Sequence, residues 1–411
     1  MKKLSSSTTI IISMFLGIIA GIFLQDKASI FAPLGDLFLK LITMLIVPLV
    51  FFNIILGAVS LGKTKSAGKV GFLTLGYYLL TSCISVVIGI GAGYIFHPGV
   101  GITVPQSMLA NENTYSMANQ SMDFWHTVLS IVPQNPFKSL IEGNILQIIF
   151  FSLFLGLCLS KVEEKKQKPV IDILETINET LIKMVEKILL LAPIGVFALM
   201  ANSIALFGIN ILLLVMKLFL VFTLGLGLIH FGMLPGLVKL FTGISPLKFI
   251  KTTAPAQILA FSTASSMATL PVNTKCCEKL GVSNSTSSFI LPLGATVNMN
   301  GNAMLYGLVT MFFAQMFNVH LGPHQYIAII LTSVLGAVGT AGVPGPSLLV
   351  VAVLASAGVP VVALPLVFGI DRIMDMMRTS TNILGDASCA VIMETVLKEE
   401  TTEDSDYAYQ N

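Results

Sequence analysis

Charge is scarce in this sequence. Of 411 residues only 11% are Asp, Glu, Lys or Arg, against roughly 25% in a soluble domain. Neither sign prevails: 23 basic residues stand against 21 acidic ones, a net charge of +2, so a nucleic-acid or acidic partner has no electrostatic footing. Cysteine is sparse too. Cys83, Cys158, Cys276, Cys277 and Cys389 fall mostly in hydrophobic stretches without the spacing of a metal site, where a thiol behaves as a small hydrophobe. The five histidines, His97, His126, His230, His320 and His324, are scattered, four of them in or beside expected loops, and form no HExxH pattern. No nucleophile–base pair stands out, which leaves an enzyme as the least favoured class. The apolar run from Thr8 to Leu24 is followed by Gln25-Asp26-Lys27 without a small-x-small cleavage site. An uncleaved first span is expected there, not a signal peptide.

Apolar residues fill the space that charge leaves. They make up 55% of the chain, and the mean hydropathy is +0.87. A soluble core cannot cover that much apolar surface, whereas a bilayer accepts it. Stretches near the roughly 20 residues that span a bilayer occur at 8–25, 37–61, 71–96, 144–160, 183–206 and 209–236. The fourth is short, and 127–133 is expected to contribute to a broken span there. Basic residues gather in alternate loops: Lys63, Lys65 and Lys69, then Lys161, Lys165, Lys166 and Lys168, then Lys239, Lys248 and Lys251. The positive-inside rule puts those loops and both chain ends in the cytoplasm of a multi-pass inner-membrane protein.

Beyond residue 251 the apolar runs are broken. Segment 252–278 contains Thr263-Ala264-Ser265-Ser266-Met267-Ala268-Thr269-Leu270-Pro271, and segment 325–358 contains Gly339 to Ser347, with Pro344 and Pro346 inside it. A break in lipid leaves backbone groups unpaired at several kcal/mol each, so it survives only against protein or a wet cavity. A re-entrant hairpin meets both conditions. Each is followed by a polar-spotted span, 285–317 and 361–397. The fold class expected is therefore an all-α integral membrane protein, with eight transmembrane helices plus two re-entrant helical hairpins as inverted repeats, the pattern of secondary transporters. The acidic end from Glu399 to Asp406 reads as a solvated, disordered tail.

Two polar clusters carry the chemistry. Asp371, Asp375, Arg378, Asn382 and Asp386 follow at intervals of 4, 3, 4 and 4, which places all five on one helix face over about 22 Å. Such side chains face a cavity or a partner, and never lipid. A structural ion ladder is the competing reading. The preceding span holds Gly294-Ala295-Thr296-Val297-Asn298-Met299-Asn300-Gly301-Asn302. Its amides and hydroxyl supply oxygen ligands suited to a hard cation, or else interhelical amide bonds.

The Ser265–Pro271 turn, the Asn298-Met299-Asn300-Gly301 run, Ala341–Gly345 and Asp375-Met376-Met377-Arg378-Thr379 together resemble the four signature regions of the dicarboxylate/amino acid:cation symporter family, which includes the glutamate transporters. Leu41 to Leu61, Tyr77 to Ser82 and Ala192 to Phe197 are similar to further family segments, so the resemblance covers nearly the whole chain. It implies a sodium-coupled symporter for an acidic amino acid, glutamate or aspartate, working by alternating access. By the same resemblance it is a homotrimer in the bilayer, with sodium ions for coupling and no other cofactor. Residues 1–70 and most of 97–251 form a scaffold, the latter with a sixth helix that moves. Residues 71–96 are a transport-domain helix, 252–397 the transport core and 398–411 the tail.

The resemblance also implies roles. Substrate lies against Ser266 and the backbone from Val343 to Ser347, beside Asn302. Asp375 takes its ammonium, Thr379 and Asn382 its α-carboxylate, and Arg378 its side-chain carboxylate. One sodium site uses Gly294, Asn298, Asn382 and Asp386. A second uses Thr296 with Ala337, Val338 and Thr340, and a third Tyr78, Thr81, Ser82, Asn298 and Asn300. The chain departs from the family in places. Position 300 is commonly Asp and position 302 commonly Thr; both are Asn here. Ala264 and Met376 lack an arginine found at one or other position in relatives, for which Arg372 can compensate. A C4-dicarboxylate or neutral cargo, proton coupling, and a substrate-gated anion conductance are the alternatives.

Overall fold

In the computed structural model the described residues are 6–66, 69–101, 132–143, 145–207, 210–338, 349–361 and 364–408, and no strand occurs among them. The first helices are α1 (Ser6–Leu24), a short 3-10 stretch (Gln25–Phe31), α2 (Ala32–Thr43), α3 (Ile46–Ser66) and α4 (Lys69–Phe96). The middle of the chain gives α5 (Pro136–Glu142), α6 (Ile145–Leu159), α7 (Glu164–Leu189), α8 (Ala192–Phe207), α9 (Asn210–Gly227) and α10 (Leu234–Thr242). The last part gives α11 (Pro246–Thr263), α12 (Ser266–Lys279), α13 (Asn284–Val297), α14 (Asn300–Met316), α15 (Pro323–Val338), α16 (Leu349–Ser356) and α17 (Leu364–Ala408).

Three helical stretches, Ile12–Phe38, Val70–Phe96 and Ile211–Thr242, are long and apolar enough to cross a bilayer, and the pair Glu164–Ile188 and Ala192–Ala205, bent by 58°, makes a fourth. Among the described residues the remaining apolar segments are shorter or interrupted helices. Prolines account for two interruptions. The expected span 37–61 divides at Met44 and Leu45, because Pro48 has no N–H for the Met44 carbonyl and its ring crowds that oxygen. The expected span 183–206 likewise begins only at Ala192. Pro193 forces the bend there, and α7, largely polar on one face, precedes it.

Small residues set the closest helix contacts. In α1, Gly17 and Gly21 lie one turn apart, and a Cβ on Gly17 would strike the Phe197 carbonyl of α8. A Cβ on Gly307 of α14 would stand 2.7 Å from the Val86 oxygen of α4. Such small-xxx-small seams bring backbones together where no hydrophobic force acts between helices. Outward faces remain apolar: Phe23, Phe72, Leu80, Leu213, Leu224 and Phe231 are all exposed.

Between α9 and α10 the chain widens into one π-helical turn, Leu228–Met233, where the Leu234 N–H reaches back five residues to the Ile229 carbonyl. Inside this turn His230 is buried, with Nδ1 3.0 Å from Thr381 Oγ1 of α17 and Nε2 3.0 Å from Gln257 Oε1 of α11. The first expected hairpin becomes α11 and α12, packed on each other across Ala264 and Ser265. Ala264 takes a left-handed conformation (φ 52°), and the Ser265 hydroxyl caps α12 by accepting from Ala268 N at 3.2 Å. For the second hairpin, α15 and α16 also pack together, while its turn, 339–348, lies outside the described residues. The span 285–317 is likewise two helices, α13 and α14, broken at Asn298 and Met299. The tail expected to be disordered departs from that reading. Glu399 and Glu400, good helix formers, prolong α17, which runs on to Ala408.

Candidate functional site

The final helix α17 is the hub, touching α4 and each of α8 to α14. Its polar stripe is enclosed throughout: Asp371, Asp375, Arg378, Thr379, Asn382 and Asp386 are all buried. At the head of the stripe the Arg378 guanidinium donates from Nη1 to Asp371 Oδ1 at 2.8 Å and from Nη2 to Asp375 Oδ1 at 3.1 Å. Arg372 Nη1 stands 3.5 Å from the other Asp375 oxygen, Oδ2. Two carboxylates and two guanidiniums thus cancel in formal charge, the condition for keeping any of them out of water. Thr379 turns its hydroxyl back to the Asp375 carbonyl at 2.8 Å.

One turn further on, Asn382 joins α17 to the break between α13 and α14. Its Oδ1 accepts from the Gly301 N–H at 2.8 Å, and its Nδ2 donates to Asn302 Oδ1 at 3.3 Å and to Met299 Sδ at 3.2 Å. Gly301 is required by the approach itself, since a Cβ there would lie 2.9 Å from Arg378 Cα. The break frees its own backbone, and α17 supplies the partner.

Another turn brings Asp386. Asn298 Nδ2 donates to its Oδ1 at 2.8 Å and lies 3.4 Å from the Asn382 carbonyl. The Gly294 carbonyl accepts from Asn298 N at 2.8 Å, and a Cβ on Gly294 would fall 2.5 Å from Asp386 Oδ1 and 2.6 Å from the Tyr78 hydroxyl. All four residues expected to share the first cation site are therefore brought together.

The third expected set is brought together in part. Ser82 Oγ of α4 donates to Asn300 Oδ1 at 3.4 Å, while Tyr78 donates to the Ile290 carbonyl at 3.0 Å and Thr81 to its own helix at Tyr77 O, 2.9 Å. Asn298 Oδ1, Asn300 Nδ2 and Arg378 Nε have no hydrogen-bond partner among the described residues. Orphaned buried polar atoms of this kind call for a further ligand or water. Of the second set, Thr296 bonds the Leu293 carbonyl of its own helix at 2.9 Å, Ala337 and Val338 end α15, which packs against α13, and Thr340 lies outside the described residues. Of the substrate set, Ser266 is buried at the start of α12, whereas Val343 and Ser347 also lie outside.

Several partners escaped the sequence reading. Asp371 had no assigned task, although its place two turns before Arg378 puts both on one helix face. Met299 and the Gly301 N–H could be found only once the break faced Asn382. Asn273 of α12 donates to the Ile383 carbonyl at 3.1 Å, and Tyr77 and Ser388 approach to 2.7 Å. Both tie neighbouring helices to the stripe.

A family profile described as the sodium:dicarboxylate symporter family matches residues 7–396. Among curated relatives, a proton/sodium-glutamate symport protein of Bacillus caldotenax is 35% identical over 402 residues, covering 96% of this chain and 94% of the relative. A proton/glutamate-aspartate symporter of Escherichia coli is 32% identical over 411 residues, covering 95% and 92%. A C4-dicarboxylate transport protein of Rhodospirillum rubrum is 30% identical over 388 residues, covering 93% and 86%.

Proposed function

Since this chain belongs to the sodium:dicarboxylate symporter family, and is thus an integral membrane transporter and not an enzyme, we propose that it couples inward sodium movement to uptake of glutamate or aspartate. The observation that carries this reading is the order of groups along α17. A buried Arg378 held by two carboxylates is followed, one turn and two turns on, by Asn382 and then Asp386 against Asn298. A substrate carboxylate can replace Asp371 or Asp375 as the partner of Arg378, whose planar fork binds it with two bonds. The released Asp375 then takes the substrate ammonium, and Thr379 lies one turn away for the α-carboxylate. Sodium is cargo beside it, offered the Asp386 carboxylate and the Asn298, Gly294 and Asn382 oxygens. The orphaned Asn298 Oδ1 favours a cation there. A second cation set on Thr296, Ala337, Val338 and Thr340, and a third on Tyr78, Thr81, Ser82, Asn298 and Asn300, belong to the same proposal, the third weakened by its lack of a carboxylate.

Because Asn382 touches both subsites, occupancy of one fixes the side chain that the other needs. That is a coupling free energy, and it is reciprocal. Residues 252–397 with the helix at 71–96 and the sixth helix form the moving part against a trimeric scaffold, the second hairpin closes the outer side, and both termini face the cytoplasm. Uptake into proteoliposomes under imposed sodium or proton gradients, with glutamate, aspartate, serine and succinate in competition, tests the reading. Glutamate or aspartate accumulation driven by sodium is expected. Accumulation driven by protons alone, or of succinate in preference to both amino acids, overturns it in favour of the coupling or the cargo named by other relatives.

A further inference from the structure

The geometry points to Arg372 as a specificity-determining residue, whose guanidinium on Asp375 Oδ2 competes with the ammonium of an amino acid and leaves an amine-free diacid unopposed. This rests on the substrate reading above. Both oxygens of Asp375 are engaged: Oδ1 by Arg378 Nη2 at 3.1 Å and Oδ2 by Arg372 Nη1 at 3.5 Å. The side chains grow more accessible in the order Arg378 (1%), Asp375 (11%) and Arg372 (20%). An arriving ammonium therefore meets Asp375 from the Arg372 side. Even when the substrate carboxylate has drawn Arg378 away from Oδ1, Arg372 still holds Oδ2 of the same carboxylate, and two like charges cannot share it at close range without cost. A diacid has no ammonium to place, so the Arg372–Asp375 contact persists while its carboxylate goes to Arg378.

Displaced Arg372 is not stranded. The α-carboxylate of an amino acid lies beside its ammonium and can accept the freed guanidinium, a trade of one carboxylate for another. The competition is thus partial, and Arg372 tunes the balance between the two cargo classes without excluding either. Arg378 cannot play this part, because it is fully enclosed and held on two sides.

Aspartate and succinate differ by one ammonium, which makes them the probe pair. Their dissociation constants are measured on the purified full-length protein in sodium, for the unchanged protein, Arg372→Gln and Arg372→Met. Removing the guanidinium is expected to move the ratio of constants toward aspartate by about tenfold, the scale of one charge-assisted bond in a half-buried place. A ratio that stays within about twofold, or that moves toward succinate, overturns the proposal. If both variants bind neither ligand, Arg372 is needed to build the site, and the specificity role is rejected. If the unchanged protein binds neither, the substrate reading itself fails.

Discussion

Arg378 is among the largest wholly enclosed side chains of the protein, and its two carboxylate partners come from its own helix, three and seven residues earlier. Removing it strands Asp371 and Asp375, and an orphaned partner of a buried pair costs about 3–5 kcal/mol. Arg378→Ala is therefore expected to lower the melting temperature in detergent and to abolish acidic amino acid uptake more than neutral uptake. Unchanged glutamate and aspartate transport would sink the assignment. Asp386 differs, since its recorded partner is the neutral Asn298 amide. Asp386→Asn keeps an acceptor of the same shape but loses the charge. Substrate binding should persist while its sodium dependence weakens about tenfold or more, because a formal charge counts heavily where the dielectric is low. A titration with sodium chloride against a fixed substrate concentration reads this out, and an unaltered midpoint rejects the cation subsite. At this scale the sequence was legible where periodicity applied. The stripe from Asp371 to Asp386 could be seen as one face, but that Arg378 bonds Asp371 and Asp375 together depends on rotamers that spacing does not encode.

The breaks matter more than the helices they interrupt. Between α13 and α14 the chain leaves the helix at Asn298, and the freed Gly301 N–H is taken by Asn382. A Cβ at Gly301 would meet Arg378 Cα at 2.9 Å and its carbonyl oxygen at 3.1 Å, and backbone atoms give way poorly. Gly301→Ala is expected to cost about 1–3 kcal/mol of stability and to weaken substrate and sodium binding together. Gly76, in α4, has nothing within 4 Å of a built Cβ. Gly76→Ala should leave binding alone and raise stability by up to about 1 kcal/mol through helix propensity. Thermal denaturation and binding measured on both variants check the contrast, and equal losses would refute the close-approach argument. Broken segments announced themselves in sequence through Gly, Pro, Ser and Thr inside apolar runs. The division of 37–61 did not, since Pro48 sits within an otherwise continuous hydrophobic stretch, and neither did the bend before α8. Apolar content alone does not distinguish one span from two helices that find different partners: α2 lies on α8, and α3 on α6.

At the scale of the molecule, the arrangement is a bundle with many large apolar side chains facing outward, whose buried carboxylates and guanidinium, among the described residues, lie on one helix. That much followed from composition and spacing. Helix–helix seams did not, because Gly17 and Gly21 acquire meaning only when the Phe197 carbonyl is known to approach them. The proposed trimer is checked by native mass spectrometry of the detergent-extracted protein, with an expected mass three times that of the 44.0 kDa chain; a single-chain mass under mild extraction rejects it. The wide turn at Leu228–Met233 has a consequence for how the sequence tolerates change. One surplus residue in a turn advances the helix by about 100° relative to its regular winding, so this turn works as a phase shifter between α9 and α10. It lets each end of the rod keep its own clock, with His230 timed to meet both Thr381 and Gln257. Deleting a residue there resets α10 by nearly a third of a revolution, whereas deletion in an exposed loop shifts nothing downstream. The length of this six-residue stretch is thus under tighter control than its composition.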